Sequence, residues 1–178
     1  RDSIVQYDAC YTGCRNGIVV PAQSDVQKIG DLQENTDRLY KGSLVGIEAE
    51  TMLMAQTADA MKQYGVEMPV INQAPSSWSQ TLATLLDDGT LFAAAAWRPH
   101  AVFAKGELRF LGDPRNVYPP AEALHIVVRK GFDAAYPKAA DLLKKVELSH
   151  GDFAQLLHRL SGNGGEPVKA FIEATSLP

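Results

Sequence analysis

Two carboxylates, Glu48 and Glu50, flank one alanine in the stretch GIEAETM. In an extended segment such a pair shares a side and can divide general acid and base work between its members. Alternate acidic residues after a strand are more often simply solvated. Two cysteines, Cys10 and Cys14, lie in CYTGC with three residues between them, where a redox pair prefers two. A zinc site would need further ligands close in sequence, and no histidine is near. Two readings stay open: a pair of small apolar residues, and a local disulfide of an oxidising compartment. His100, His125, His150 and His158 are scattered without metal-ligand spacing. His150 and His158 are expected at the surface, and His125, opening an apolar strand, is expected to be a hydrogen-bonded structural residue. Gly-x-Ser-x-Gly, His-Glu-x-x-His and phosphate-loop motifs are missing from the sequence. Ser76 and Ser77 have no identifiable base to activate them. What remains is aromatic chemistry. Trp97 ends a run of four alanines and meets an Arg-Pro-His turn, and a strand end is where an open α/β sheet presents side chains to a ligand.

The elements that must position these residues follow from composition and periodicity. The chain has 178 residues, 46% of them hydrophobic and 21% charged, enough for one ordinary domain or two small lobes. Its net charge of -4 argues against nucleic acid or an anionic membrane surface as partner. The longest apolar reach, Leu91 to Trp97, is strand-sized, well short of the roughly 20 residues needed to cross a bilayer. The chain opens at Arg1 without methionine, which suggests a processed or truncated start and leaves location open.

GIVVP, Gly17 to Pro21, predicts a buried strand stopped by proline, and VQKIGDLQENTDRL a short helix or connector. A strand over Leu44–Ile47 leads to a helix capped by Thr51 and stopped by Gly65, with Met54, Ala58 and Met61 on one face. MPVINQA is a second strand. PSSWSQTLATLLDDG is a second helix, with Ser76 or Ser77 as cap and Gly89 as stop. LFAAAAW is a third strand. This order predicts a parallel sheet with covering helices, its strands buried on both faces. Beyond Trp97 come a helical turn, a small strand, a proline-rich connection and a strand over Leu124–Lys130. The helical segments DAAYPKAADLLKKV, SHGDFAQLLHRLS and GEPVKAFIEATS follow, with Pro137 near a helix start. The central unit makes one lobe. The flanking strands would make a poor sheet alone and read as part of a second lobe whose other strands are absent from this chain.

Several stretches, in order along nearly the whole chain, resemble the substrate-binding component of glycine betaine/choline-type ABC transporters. They are GCRNGIVVPAQSDVQKIGDL, GIEAETMLM, APSSWSQTLATL, AAWRPHAVFAKGELRFLGDPRNVY and AEALHIVVRKGF. The resemblance implies an α/β, type II periplasmic-binding-protein-like fold: a complete lobe two and an incomplete lobe one. Residues 1–41 would be the end of lobe one and the crossing segment, 42–112 lobe two, and 113–178 the return with the C-terminal helices of lobe one. Hinges would lie near 38–43 and 112–121. Family members are usually longer, so the missing N-terminal half of lobe one would be cleaved, truncated or replaced by a second chain copy.

The implied function is extracytoplasmic capture of a quaternary ammonium solute for a membrane permease, without catalysis, cofactor or metal. A quaternary ammonium cannot donate a hydrogen bond, so aromatic faces must recognise it, and Trp97 is the cage residue the resemblance places here. Pro99 and His100 would form the turn behind it. The family's loop after the first lobe-two strand is glycine-rich and offers amides to a carboxylate; here it reads EAETM, with Met52 and Leu53 as the matching donors beside Thr51. Glu48 and Glu50, if turned to the cleft, would favour choline-like cations over zwitterionic betaines. Trp78, beside Ser76 and Ser77, stands where a small residue is usual, as a replacement aromatic wall or a surface residue. The rival readings are a ligand-sensing regulatory domain on the same fold and an enzyme using Glu48 or Glu50.

Overall fold

The computed structural model describes residues 3–104 and 107–161; the expected helix GEPVKAFIEATS lies outside them. The chain divides into two units, residues 15–98 with 105–120, and residues 1–14 with 99–104 and 121–178. The first strand, β1 (Ile4–Pro21), runs through both. Its first half belongs to the second unit and its last seven residues, 15–21, to the first.

The first unit is an α/β sheet. After β1 come short helical turns that include α1 (Leu32–Asn35), then β2 (Leu44–Ile47), α2 (Met52–Tyr64), β3 (Val70–Gln73), α3 (Pro75–Asp87), β4 (Ala93–Arg98) and β5 (Leu108–Phe110). The strand order is β3-β2-β4-β1-β5. β2 pairs parallel with β3 and β4, as the alternation of strand and helix predicts. β1 enters antiparallel between β4 and β5, so the sheet is mixed. Leu44, Val45 and Ala93 to Ala96 have no exposed surface, the signature of strands covered on both faces.

Local chemistry sets the helix ends. Thr51 Oγ1 accepts the Met54 N–H at 3.3 Å, and Gly65 closes α2 in the left-handed region at φ 68°. The buried face of α2 is Leu53, Met54, Thr57, Ala60 and Met61, whereas Ala58 is exposed. The expected cap of α3 is corrected. Ala74 is the N-cap and Pro75 the first helical residue, so Ser76 and Ser77 sit inside the first turn. Proline's fixed φ and missing N–H suit that first position. Gly89 follows the helix at φ 67° as expected.

In the second unit, the first half of β1 pairs antiparallel with β6 (Glu122–Arg129), through several register shifts. α4 (Phe132–Ala135), α5 (Pro137–Leu143) and α6 (His150–Ser161) follow, and Pro137 opens α5. Tyr11, Val146 and Leu148 form one buried cluster, with Cys10, Cys14, Ile126 and Phe153 packed against it. Both cysteines are free thiols. Burial, then the charge of Glu122, pushes the Cys14 thiol up, away from the reactive thiolate. His125 Nδ1 lies 3.0 Å from the Tyr7 carbonyl, the hydrogen-bonded role expected of it. His150 and His158 are exposed.

Gly17 is a close-approach position. A Cβ there would lie 2.7 Å from the Phe110 ring. That ring is flanked by the guanidinium groups of Arg15 at 4.4 Å and Arg98 at 5.4 Å. Gly17→Ala is therefore expected to destabilise the sheet unit by about 1–3 kcal/mol, the usual range for overpacking. Urea denaturation measures it, and an unchanged midpoint would show that the ring yields freely.

Candidate functional site

Parallel strands end on the same side, so Ile47, Gln73 and Arg98 close β2, β3 and β4 along one edge of the sheet. Because β1 runs the other way, its register brings Arg15 opposite Arg98 and Asn16 opposite Trp97 at that same edge. α2 and α3 both start there, and the amides of Met52 and Leu53 in α2 and of Ser76 and Ser77 in α3 lie in the first turn, where a helix offers its N–H groups no intrahelical acceptor.

The turn after β2 is tight. The Thr51 N–H and Oγ1–H both donate to the Glu48 carbonyl, at 3.2 and 3.0 Å. Glu48 and Glu50 are exposed, where screening by salt removes most of their long-range repulsion. The Met52 side chain is 74% exposed and that of Leu53 only 6%. The two amides open α2 regardless of where the side chains go.

Trp78 corrects the surface reading of that residue: it has no exposed surface. Its indole stacks on that of Trp97, centroids 5.4 Å apart and planes 24° from parallel. Trp78, Leu82 and Leu85 form the buried face of α3, an i, i+4, i+7 stripe that was present in the sequence. Trp97 is half-buried, while Ser76 and Ser77 are exposed in the turn before Trp78. The structure thus joins Trp78 to Trp97 within one unit. His100 belongs to the other unit. There its Nδ1 accepts the Val102 N–H at 3.2 Å and caps the short turn Ala101–Phe103. Burial lowers its pKa, which suits a neutral ring acting as acceptor.

Three features escaped the sequence reading. Asn16 donates to Gln56 Oε1 at 2.7 Å, tying the entry of β1 to α2. Arg15 and Arg98 place two positive charges at the same edge around Phe110. Gln73 Oε1 is buried without a hydrogen-bond partner among the described residues, a state that costs roughly 1–3 kcal/mol and that a ligand donor would relieve. All three depend on β1 or on strand-edge geometry, which local periodicity does not encode. Among the described residues no cluster of histidine, cysteine and acidic side chains could hold a metal. None of the described helices is long and apolar enough to cross a membrane.

Residues 2–174 match the family described as the substrate binding domain of ABC-type glycine betaine transport systems. A glycine betaine/carnitine transport binding protein of Listeria monocytogenes serotype 1/2a (strain 10403S) is 29% identical over 143 residues, 79% of this chain and 47% of that protein. The chain thus spans about half the length of this curated relative. Among solved structures, the glycine/betaine/L-proline-binding protein of Borrelia burgdorferi aligns with 97% of this chain and 65% of its own. The TM-score is 0.67 at 22% identity. A choline binding protein of an ABC transporter, in complex with choline, aligns with 97% of this chain and 62% of its own, with a TM-score of 0.64 at 19% identity. These likenesses establish the expected periplasmic-binding-protein fold.

The cap at the candidate site gives a direct test. Thr51→Ala removes the acceptor for the Met54 N–H and is expected to cost about 1 kcal/mol. The urea midpoint should fall accordingly, and Thr51→Ser should restore most of it.

Proposed function

This chain belongs to the family of substrate-binding domains of ABC-type glycine betaine transport systems, and on that premise we propose that it captures a quaternary ammonium solute outside the cytoplasm for a membrane permease. The observation that carries this reading is the half-buried Trp97 near the carboxyl end of β4, on the edge where the parallel strands of the sheet end, backed by a second indole. A methylated ammonium offers no N–H, and an indole face is the best side-chain surface for it. One such contact is worth about 0.5–2 kcal/mol, so Trp97 is one wall among several.

The unit of residues 15–98 and 105–120 holds most of the expected lobe two. The amides of Met52 and Leu53, with the hydroxyls of Thr51, Ser76 and Ser77, are the groups we assign to the polar end of the ligand. Glu48 and Glu50 would shape the charge at the mouth of the site, and His100 would fix the turn after Trp97. The other unit pairs two strands and leaves Ile4, Val5, Leu124 and Val127 exposed. We assign that unit to lobe one, completed by a further segment of the natural polypeptide or by a second copy of the chain. The reading is of a carrier, with no bond made or broken.

Calorimetric titration of glycine betaine and choline into the natural polypeptide is expected to show binding of at least one of them. Trp97→Ala should weaken it at least tenfold, about 1.4 kcal/mol. An unchanged dissociation constant in that variant would overturn the assignment.

A further inference from the structure

We propose that Trp78 is a positioning residue: without touching ligand, it holds the Trp97 indole in the one orientation that receives the cation. The inference rests on the reading of Trp97 as a ligand wall. It starts from an unusual economy, since the chain has two tryptophans and both meet in a single stack. Trp78 has no exposed surface, so a solute cannot reach it in this structure. Any effect it has on binding is therefore indirect.

Both backbones that carry the stack are rigid. The Trp78 N–H donates to the Ala74 carbonyl at 2.9 Å in the first turn of α3, just after Pro75. Trp97 follows Ala93 to Ala96, none of which has exposed surface. What regular backbone structure leaves unset is the rotamer of the Trp97 side chain near the strand end. An indole there with a free rotamer would lose that freedom on each binding event, weakening affinity. Stacking on Trp78 at 24° removes the freedom in advance and occupies one face. A cation is then received on the face turned away from Trp78.

The test compares Trp78→Phe, Trp78→Leu, Leu82→Ala and Trp97→Ala in the natural polypeptide, by titration with glycine betaine and choline and by the far-ultraviolet exciton couplet of the two indoles. Trp78→Phe keeps an aromatic platform and should bind within about threefold of the parent. Trp78→Leu removes the platform and should weaken binding about tenfold or more. Leu82→Ala, from the same buried helix face, should lower the melting temperature yet leave affinity within about threefold, which separates positioning from general stability. The couplet that Trp78→Phe abolishes should persist in the parent at saturating ligand. Parent-like binding by Trp78→Leu, equal weakening by Leu82→Ala, or loss of the couplet on saturation would each overturn the proposal. Trp97→Ala separates the two levels. If it binds normally, the ligand reading itself fails. If it binds weakly while Trp78→Leu binds normally, only the positioning role falls. Should Trp78→Leu not fold, the Trp78→Phe affinity and the couplet in the parent decide.

Discussion

Four successive alanines with no exposed surface, Ala93 to Ala96, are the constraint on which the sheet unit turns. β4 lies between β2, parallel to it, and β1, antiparallel to it, so it is the strand that both halves of the sheet share. Methyl groups on both of its faces let covering elements approach closely, and interior packing tolerates little added volume. The run must end where the burial ends. Trp97 is the first large side chain after it and the first that is only half-buried. The same chain therefore passes in one step from the tightest packing of the unit to the edge where helices start and ligands bind in open α/β sheets.

The parts of this design that depend on near neighbours in sequence were legible. Continuous apolar runs marked β2 and β4, and Thr51 and Gly65 marked the limits of α2. The parts set by distant pairing were not. β1 was read only as Gly17 to Pro21, yet the strand extends from Ile4. Its first half mixes polar and apolar residues without a clean period, because register shifts break the alternation that would reveal it. Gly13, at φ 91°, sits in that irregular stretch. Ser76 and Ser77 looked like caps by residue type, but Pro75 before them takes the first helical position and moves the cap back to Ala74. The Trp78–Trp97 contact needed the crossover of α3 from β3 to β4, although the stripe Trp78, Leu82, Leu85 showed which side of α3 would be buried.

Charge at the site edge reads differently once β1 is placed. From the loop EAETM alone, two carboxylates oppose the attraction that a helix N-terminus has for anions. In the structure those carboxylates are exposed. The antiparallel entry of β1 brings Arg15 beside Arg98 at the same edge, both against Phe110. Both guanidinium groups lie near the ring in a cation–π arrangement.

The two units carry unequal burdens of exposed apolar surface. In the sheet unit the large exposed apolar side chain is Met52, at the start of α2; the second unit leaves Ile4, Val5, Leu124, Val127, Tyr136, Leu142 and Leu160 exposed. A two-stranded ribbon is marginal by itself. Here a buried cluster of Tyr11, Val146 and Leu148 supports it, with Val128, Ala140, Ala154 and Leu156 also buried in the unit. Every element of the Trp78–Trp97 stack, from Pro75 to the alanines of β4, lies within the sheet unit. The contact between the two indoles is thus set by elements of one unit alone.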